Sequence, residues 1–241
     1  MEPKSHWENV YATKAATAVS WFQAHADLSL RLIAETGAST DASIIDVGGG
    51  ASTLVDDLLA RGYTSLCVLD LSAAALNAAR ARLGRDAEQV RWIEGDITSI
   101  ALPAHAYDLW HDRAVFHFLT GEAQRRAYVA AVLRSVKPGG HVIVSTFAED
   151  GPLQCSGLPV MRYSADQLHA EFGAPFTLLR HAREAHQTPS GSSSSIATAA
   201  PARRNAPAPA MRPACHAGAA SRALNPPTDR ATTRMDIRSP A

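Results

Sequence analysis

Between Asp41 and Arg183, short β-branched runs alternate with longer stretches in which apolar residues recur every three or four positions. Those two periods belong to a mostly parallel sheet with helices on both faces, a doubly wound α/β architecture. Strands are expected at Ser43–Val47, Ser65–Leu69, Val90–Ile93, Tyr107–Trp110, His141–Thr146 and Phe176–Arg180. Helices are expected near Thr53–Ala60, Ala73–Leu83 and Ala123–Val136. In the last of these, Tyr128, Val129, Val132, Leu133 and Val136 share one face, and Lys137-Pro138-Gly139-Gly140 then ends it. Two helical stretches, Trp7–Thr13 and Leu28–Glu35, precede the first strand and are expected to cap the end of the sheet where a ligand would bind.

The pattern stops after His186. Residues 189–241 are dominated by alanine, proline, serine, threonine and arginine, and contain no aromatic residue and no sustained apolar period. Too little apolar area is available there to offset the entropy of ordering, so the segment reads as a disordered tail. The organisation expected is a helical cap over residues 1–40, a catalytic domain over 41–188 and the tail over 189–241. The tail carries seven arginines against two aspartates, without lysine clusters or aromatics, and no nucleic-acid partner is expected from it.

Over the whole chain 23 basic side chains balance 23 acidic ones, so no global field selects an anionic partner. Cys67, Cys155 and Cys215 are scattered, without the close pairs of a zinc site or a disulfide framework, so no metal is expected and a reducing cytoplasm fits best. The polar amino end has no apolar signal core, and no membrane association is expected.

The chemistry concentrates at "IIDVGGGAST", residues 44–53, where three glycines follow a strand and open into a helix. Glycine lets a backbone turn at positive φ and lets a ligand approach the main chain closely. In the dinucleotide fingerprint G-x-G-x-x-G a third glycine would stand at position 53, which is threonine. Asp46 precedes Gly48, Gly49 and Gly50, and an anion there disfavours a pyrophosphate but suits a ligand with positive charge. S-adenosylmethionine, with its ammonium and its sulfonium, is such a ligand. Asp70, followed by Leu71, lies about 20 residues further on, where a carboxylate accepts hydrogen bonds from ribose hydroxyls in doubly wound folds. Asp96 follows the third strand as a candidate acceptor for an adenine amino group, and Ile97 is a candidate to pack on the ring.

With Asp46 and the glycines, Asp70 and Asp96 at the ends of successive strands, the chain resembles the class I S-adenosylmethionine-dependent methyltransferases over roughly residues 40–183. The segments "VLDLS", "EGDI", "YDLWHDRAVFHFL" and "LRSVKPGGHVIVSTF" carry the same likeness. Ser52 stands where the family's loop has its third glycine, a mild change because serine is a favoured helix N-cap, and Thr53 with Asp56 offers a similar cap. The resemblance implies a Rossmann-like fold, S-adenosyl-L-methionine as cofactor and methyl transfer by direct displacement. Its motifs map cofactor binding onto Asp46, Gly48, Gly49, Gly50, Asp70, Leu71, Asp96 and Ile97.

Displacement at a sulfonium methyl rests largely on positioning and desolvation, so no fixed catalytic signature is required. The acceptor side of such folds follows the fourth strand, here "HDRAVFHFLT". Asp112 is the candidate to hold a substrate amine, and His111 and His117 are candidate bases. This stretch, with "HWENVY" and "VSWF", is similar to the elongation-factor lysine methyltransferases, so a protein lysine and a small molecule both stand as acceptors. Trp7, Tyr11 and Trp21 are candidates for a lid, and Cys155 for a lone thiol near the substrate.

Class I methyltransferases finish with an antiparallel pair whose last strand inserts beside the fifth. "SSSSIATAAPARR" lacks the large alternating apolar residues of a central strand and contains Pro201, so that strand is expected to be missing or degraded, leaving an unfilled groove. A shift of coding frame near residues 189–195 would account for the abrupt change. Two alternatives to an active methyltransferase stand beside it: a degenerate cofactor-binding protein without turnover, and an NAD-dependent oxidoreductase, which Asp46 and Thr53 disfavour.

Overall fold

The computed structural model describes residues 3–187 and 193–205. Helices α1 (Pro3–Thr13) and α2 (Asp27–Glu35) lead into β1 (Ser43–Val47), α3 (Leu54–Ala60), β2 (Ser65–Asp70), α4 (Ala73–Leu83), β3 (Val90–Glu94) and β4 (Tyr107–Arg113). There follow α5 (Glu122–Ser135), β5 (Val136–Phe147), a two-residue hairpin of β6 (Gln154–Cys155) and β7 (Leu158–Pro159), α6 (Ala165–Phe172), β8 (Phe176–Gln187) and β9 (Ser193–Arg203). One seven-stranded sheet runs β3-β2-β1-β4-β5-β9-β8. The first five are parallel, and β9 is antiparallel to both its neighbours. The order reverses between β1 and β4, and ligands in such sheets bind at the carboxyl ends of the strands at that switch point.

Alternation along the strands builds the two core layers. Ile45, Val47 and Trp110 face one side with Tyr128 and Val132 of α5 and Phe172 of α6. Ile44, Leu109 and Ile143 face the other with Leu30 and Ile33 of α2 and Leu54 and Leu58 of α3. In the same register Asp46 pairs with His111, and Val47 with Asp112, so each neighbouring acid falls on a different face.

The sheet has no unfilled groove: β9 occupies the slot between β5 and β8, correcting the expectation of a missing strand. It does so with small residues. Ala197, Thr198 and Ala199 are buried, and the Thr198 hydroxyl lies 2.8 Å from Ser145 Oγ of β5. Flanked on both edges, a strand of small side chains satisfies its backbone in two ladders, and neighbouring large residues fill the layers above and below. Pro201 sits opposite Leu178, where the β8 register shifts, and proline is tolerated at such bulges. The expected tail therefore does not begin at 189, since residues 193–203 are sheet; residues 188–192 and 206–241 lie outside the described residues.

Among the described residues no helix is long and apolar enough to cross a membrane.

Candidate active site

The carboxyl ends of β1, β2, β3 and β4 open onto one cavity of about 320 Å³. Val47 and Gly48 border it from β1 and its loop, Asp70 and Leu71 from β2, Asp96 and Ile97 from beyond β3, and Arg113, Ala114 and Val115 from β4. The loop must be bare for steric reasons. Gly48 has φ +69°, and a Cβ there would lie 1.9 Å from Val115 Cγ2. Gly50 has φ +37°, and its Cβ would meet Asp70 Oδ2 at 2.6 Å. Gly49 packs over the Asp46 carboxylate, whose Oδ2 would be 2.5 Å from an added Cβ. Contrary to the expected caps, the N-cap position of α3 is Thr53, whose hydroxyl donates to the Gln23 carbonyl at 2.9 Å rather than capping; Ser52 Oγ, one residue earlier, accepts from Leu54 N at 3.2 Å, and Asp56 pairs with Arg82.

The three acids are treated differently by the fold. Asp46 is buried and held by His111 Nδ1 at 2.7 Å, bordering a small recess beside the main cavity. Asp70 Oδ1 accepts from Ser72 N at 2.8 Å, an N-terminal turn for α4 that aims the other oxygen toward the glycine loop. Burial pushes its carboxyl up to about 7, with Asp46 and Glu8 adding repulsion, against the opposing bonds from Ser72 and Leu71. Asp96 is exposed, and its Oδ1 accepts from Thr98 N at 2.8 Å and Thr98 Oγ1 at 2.7 Å, which leaves Oδ2 for a ligand.

The acceptor-side candidates do not gather in the cavity. His111 is 1% exposed, with Nδ1 on Asp46 and Nε2 on Ser29 Oγ at 2.8 Å, so both ring nitrogens are engaged. Asp112 lies on the opposite face, fully buried; it accepts from Val115 N at 2.7 Å, Phe116 N at 3.1 Å and Tyr128 OH at 2.6 Å. Burial raises its carboxyl to about 6. His117 is fully buried against Phe118 and Phe147, and burial depresses its imidazole to about 3. These three hold the β4 end together: Asp112 ties the loop that presents Val115 to the glycines, and His111 fixes Asp46.

What does border the cavity, beyond the cofactor motifs, is aromatic. Trp7 and Tyr11 of α1 reach in beside Trp21, with Trp7 edge-on to Trp21 and Phe118 at 5.5 and 5.1 Å. Trp21 Nε1 donates to Tyr11 OH at 3.1 Å. Cys155, Leu158 and Pro159 of the β6–β7 hairpin also line it, with Cys155 packed against the same cluster as Phe118. Sequence reasoning missed two features. Glu8 of α1 accepts from the first amides of α4, Ala73 N at 2.6 Å and Ala74 N at 3.1 Å, which seats α1 across the cavity. Ala114 adopts φ 78°, a left-handed strain at a non-glycine residue that carries no sequence signal.

A Rossmann-like sheet with a glycine loop and strand-end acids around one cavity is the arrangement in which doubly wound folds receive nucleotide-like ligands. Residues 44–140 match the family model described as a methyltransferase domain. That match spans the glycine loop, Asp70 and Asp96, the segment in which the sequence resembles the class I S-adenosylmethionine-dependent methyltransferases. No curated protein matches it in sequence. Among solved structures, one from Anabaena variabilis, described as a SAM-dependent methyltransferase, is 14% identical with TM-score 0.66, covering 85% of this chain and 96% of that one. A structure described by the conversion of a disulfide bond into a thioacetal group during echinomycin biosynthesis is 18% identical with TM-score 0.68, covering 83% and 92%. The [4+2]-cyclase SpnF is 15% identical with TM-score 0.61, covering 84% and 92%. At these identities the likeness is one of fold.

Proposed function

We propose that the protein uses S-adenosyl-L-methionine to methylate a small molecule by direct displacement. The observation that carries this is the convergence of Gly48, Asp70, Asp96 and Ile97, from three strand ends, on a single cavity. These residues are compatible with the cofactor: Gly48 brings bare main chain to the cavity wall, Asp70 supports a reading as acceptor for ribose hydroxyls, and Asp96, whose Oδ2 is not taken by Thr98, with Ile97 supports one for an adenine. When bound, the cofactor supplies an electrophilic methyl on a sulfonium. The chain's own contribution is to orient the reactants and exclude water, which α1 and the β6–β7 hairpin do by roofing the cavity.

That roof also supports a small acceptor over a protein lysine, because the space left beside the cofactor is modest; ligand cavities run from about 300 to 1,000 Å³. The degenerate-protein alternative rested on an empty sheet slot, and β9 fills it. Isothermal calorimetry tests the cofactor reading: S-adenosylhomocysteine binds and NADH does not. Saturable binding of NADH with no response to S-adenosylhomocysteine overturns it.

A further inference from the structure

Arg113 ends β4 on the cavity wall, and its surroundings do not use it up. Its Nη2 donates to the Trp21 carbonyl at 2.7 Å, and its guanidinium makes no other hydrogen bond among the described residues. A guanidinium has five donors. The two carboxylates whose fields act on it are Asp46 and Glu184, and both are engaged elsewhere: Asp46 with His111 at 2.7 Å and Glu184 with Gln23 at 2.8 Å. Burial pulls its pKa down, as for a cation short of solvation. Arg113 borders both the main cavity and the small recess that Asp46, His111 and Trp21 also line, and a partly buried cation with spare donors at that junction is a seat for an anion.

The same wall lacks a base. His111, Asp112 and His117 are engaged or buried as described, and burial pushes the Cys155 thiol up to about 11 and Tyr11 well above its usual range. Asp70 stands at the ribose position with one oxygen committed to Ser72. Asp96 is the other carboxylate on the wall, and the cofactor reading assigns it to the adenine, so among the described residues an acceptor that must shed a proton finds no unassigned group there to take it. Trp7, Trp21, Phe118, Leu158 and Pro159 give the wall a large apolar share, with Thr98, Thr120 and Gln124 as its neutral polar residues, which favours a flat or apolar body.

Resting on the methyltransferase reading, we propose that the acceptor is a small aromatic or apolar molecule whose nucleophilic atom is already an anion, seated against Arg113. Such an acceptor forms its bond to the methyl carbon while the sulfonium carbon–sulfur bond breaks with its electron pair returning to sulfur. One negative and one positive charge are neutralised, and no proton has to leave.

Calorimetry on the protein saturated with S-adenosylhomocysteine tests this with 4-nitrothiophenol, 4-nitrophenol, benzoate and benzylamine as probes at pH 8. The anionic probes are expected to bind and benzylamine not to. Arg113→Met is expected to weaken the anions by about tenfold or more, the loss of a charge-assisted hydrogen bond, and to change S-adenosylhomocysteine affinity by less than about threefold. Arg113→Lys, which keeps the charge, is expected to fall between, and covers the case in which the methionine variant does not fold. In turnover, the pH dependence of kcat/KM is expected to move with the ionisation of each thiophenol in a graded series. Preference for benzylamine, a pH profile common to every acceptor, or Arg113 variants that lose S-adenosylhomocysteine while keeping the anions would overturn the proposal. Failure of the wild type to bind S-adenosylhomocysteine is a separate result, and it removes the cofactor reading beneath.

Discussion

Asp70 and His117 are both distorted by burial, in opposite directions, and so set opposite pH dependences. The Asp70 carboxyl is raised from 3.8 to about 7, so the native state holds its proton where the unfolded chain has lost it. Its contribution is complete below pH 3.8 and is lost as pH rises through about 7. Asp70→Asn is therefore expected to stabilise the cofactor-free protein above pH 7 in urea unfolding, and to weaken S-adenosylhomocysteine by roughly 10- to 100-fold, as a charged acceptor lost to ribose would. His117 is lowered from 6.5 to about 3, so its contribution is complete above pH 6.5 and drains away as pH falls toward 3. One such proton steepens the acid limb by about 1.4 kcal/mol per pH unit. His117→Phe is expected to flatten that limb between pH 6 and 4.5, and an unchanged slope would show that the imidazole is not protected from protonation. At the loop, Gly48→Ala faces both its positive φ and Val115, and a loss of about 2–4 kcal/mol is expected from strain and overpacking together.

Two elements frame the site at different distances: α1 walls the cavity, and β9 closes the sheet that carries it. Helix α1 shows amphipathic aromatics, from which a lid was foreseen, but nothing in the letters marks Glu8 as its anchor on the α4 amides. Losing a helix-cap acceptor costs about 0.5–2 kcal/mol. Glu8→Ala is expected to raise hydrogen exchange in α1 while β1 and β4 stay protected, with a severalfold weaker S-adenosylhomocysteine complex. Unchanged exchange would show that Trp7, Tyr11 and the Lys4–Glu94 ion pair hold the helix without it. Strand β9 was misread because a central strand was expected to bring its own bulk. Here Phe172, Phe176 and Tyr163 supply the bulk, and Ala199 contributes little more than its place in the ladders. A chain ended at Gln187 is expected not to fold, since β5 and β8 would each face an empty edge, and a cooperative thermal transition from it would refute that.

At the scale of the molecule, the sheet order was legible because its evidence is periodic and redundant: five parallel strands, their helices and the glycine loop all point to the same switch point. The strand-end lining of the cavity was legible for the same reason, since Gly48, Asp70 and Asp96 each stand at a strand end that the period locates. The acceptor half was not, because sequence proximity there is misleading. His111, Asp112 and Arg113 are consecutive, yet alternation sends His111 to the α2 layer and Asp112 to the α5 layer, and Arg113, at the strand end on the His111 side, borders both the main cavity and the Asp46 recess. A cavity walled by α1, four strand ends and the β6–β7 hairpin has a consequence for the folding equilibrium. Any ligand that needs all of those walls binds the native state alone, and at a hundredfold excess over its Kd it stabilises by about 2.7 kcal/mol. For a domain of this size that corresponds to a rise in Tm of about 5–10 °C. Wild type with S-adenosylhomocysteine is expected to show that rise. Glu8→Ala and Asp70→Asn, compared at the same ligand concentration, are expected to show less of it, in proportion to their weaker binding. A full rise in both variants would mean that the ligand is held without the α1 latch and without the β2 carboxylate, and the cofactor site assigned to those strand ends would have to be abandoned.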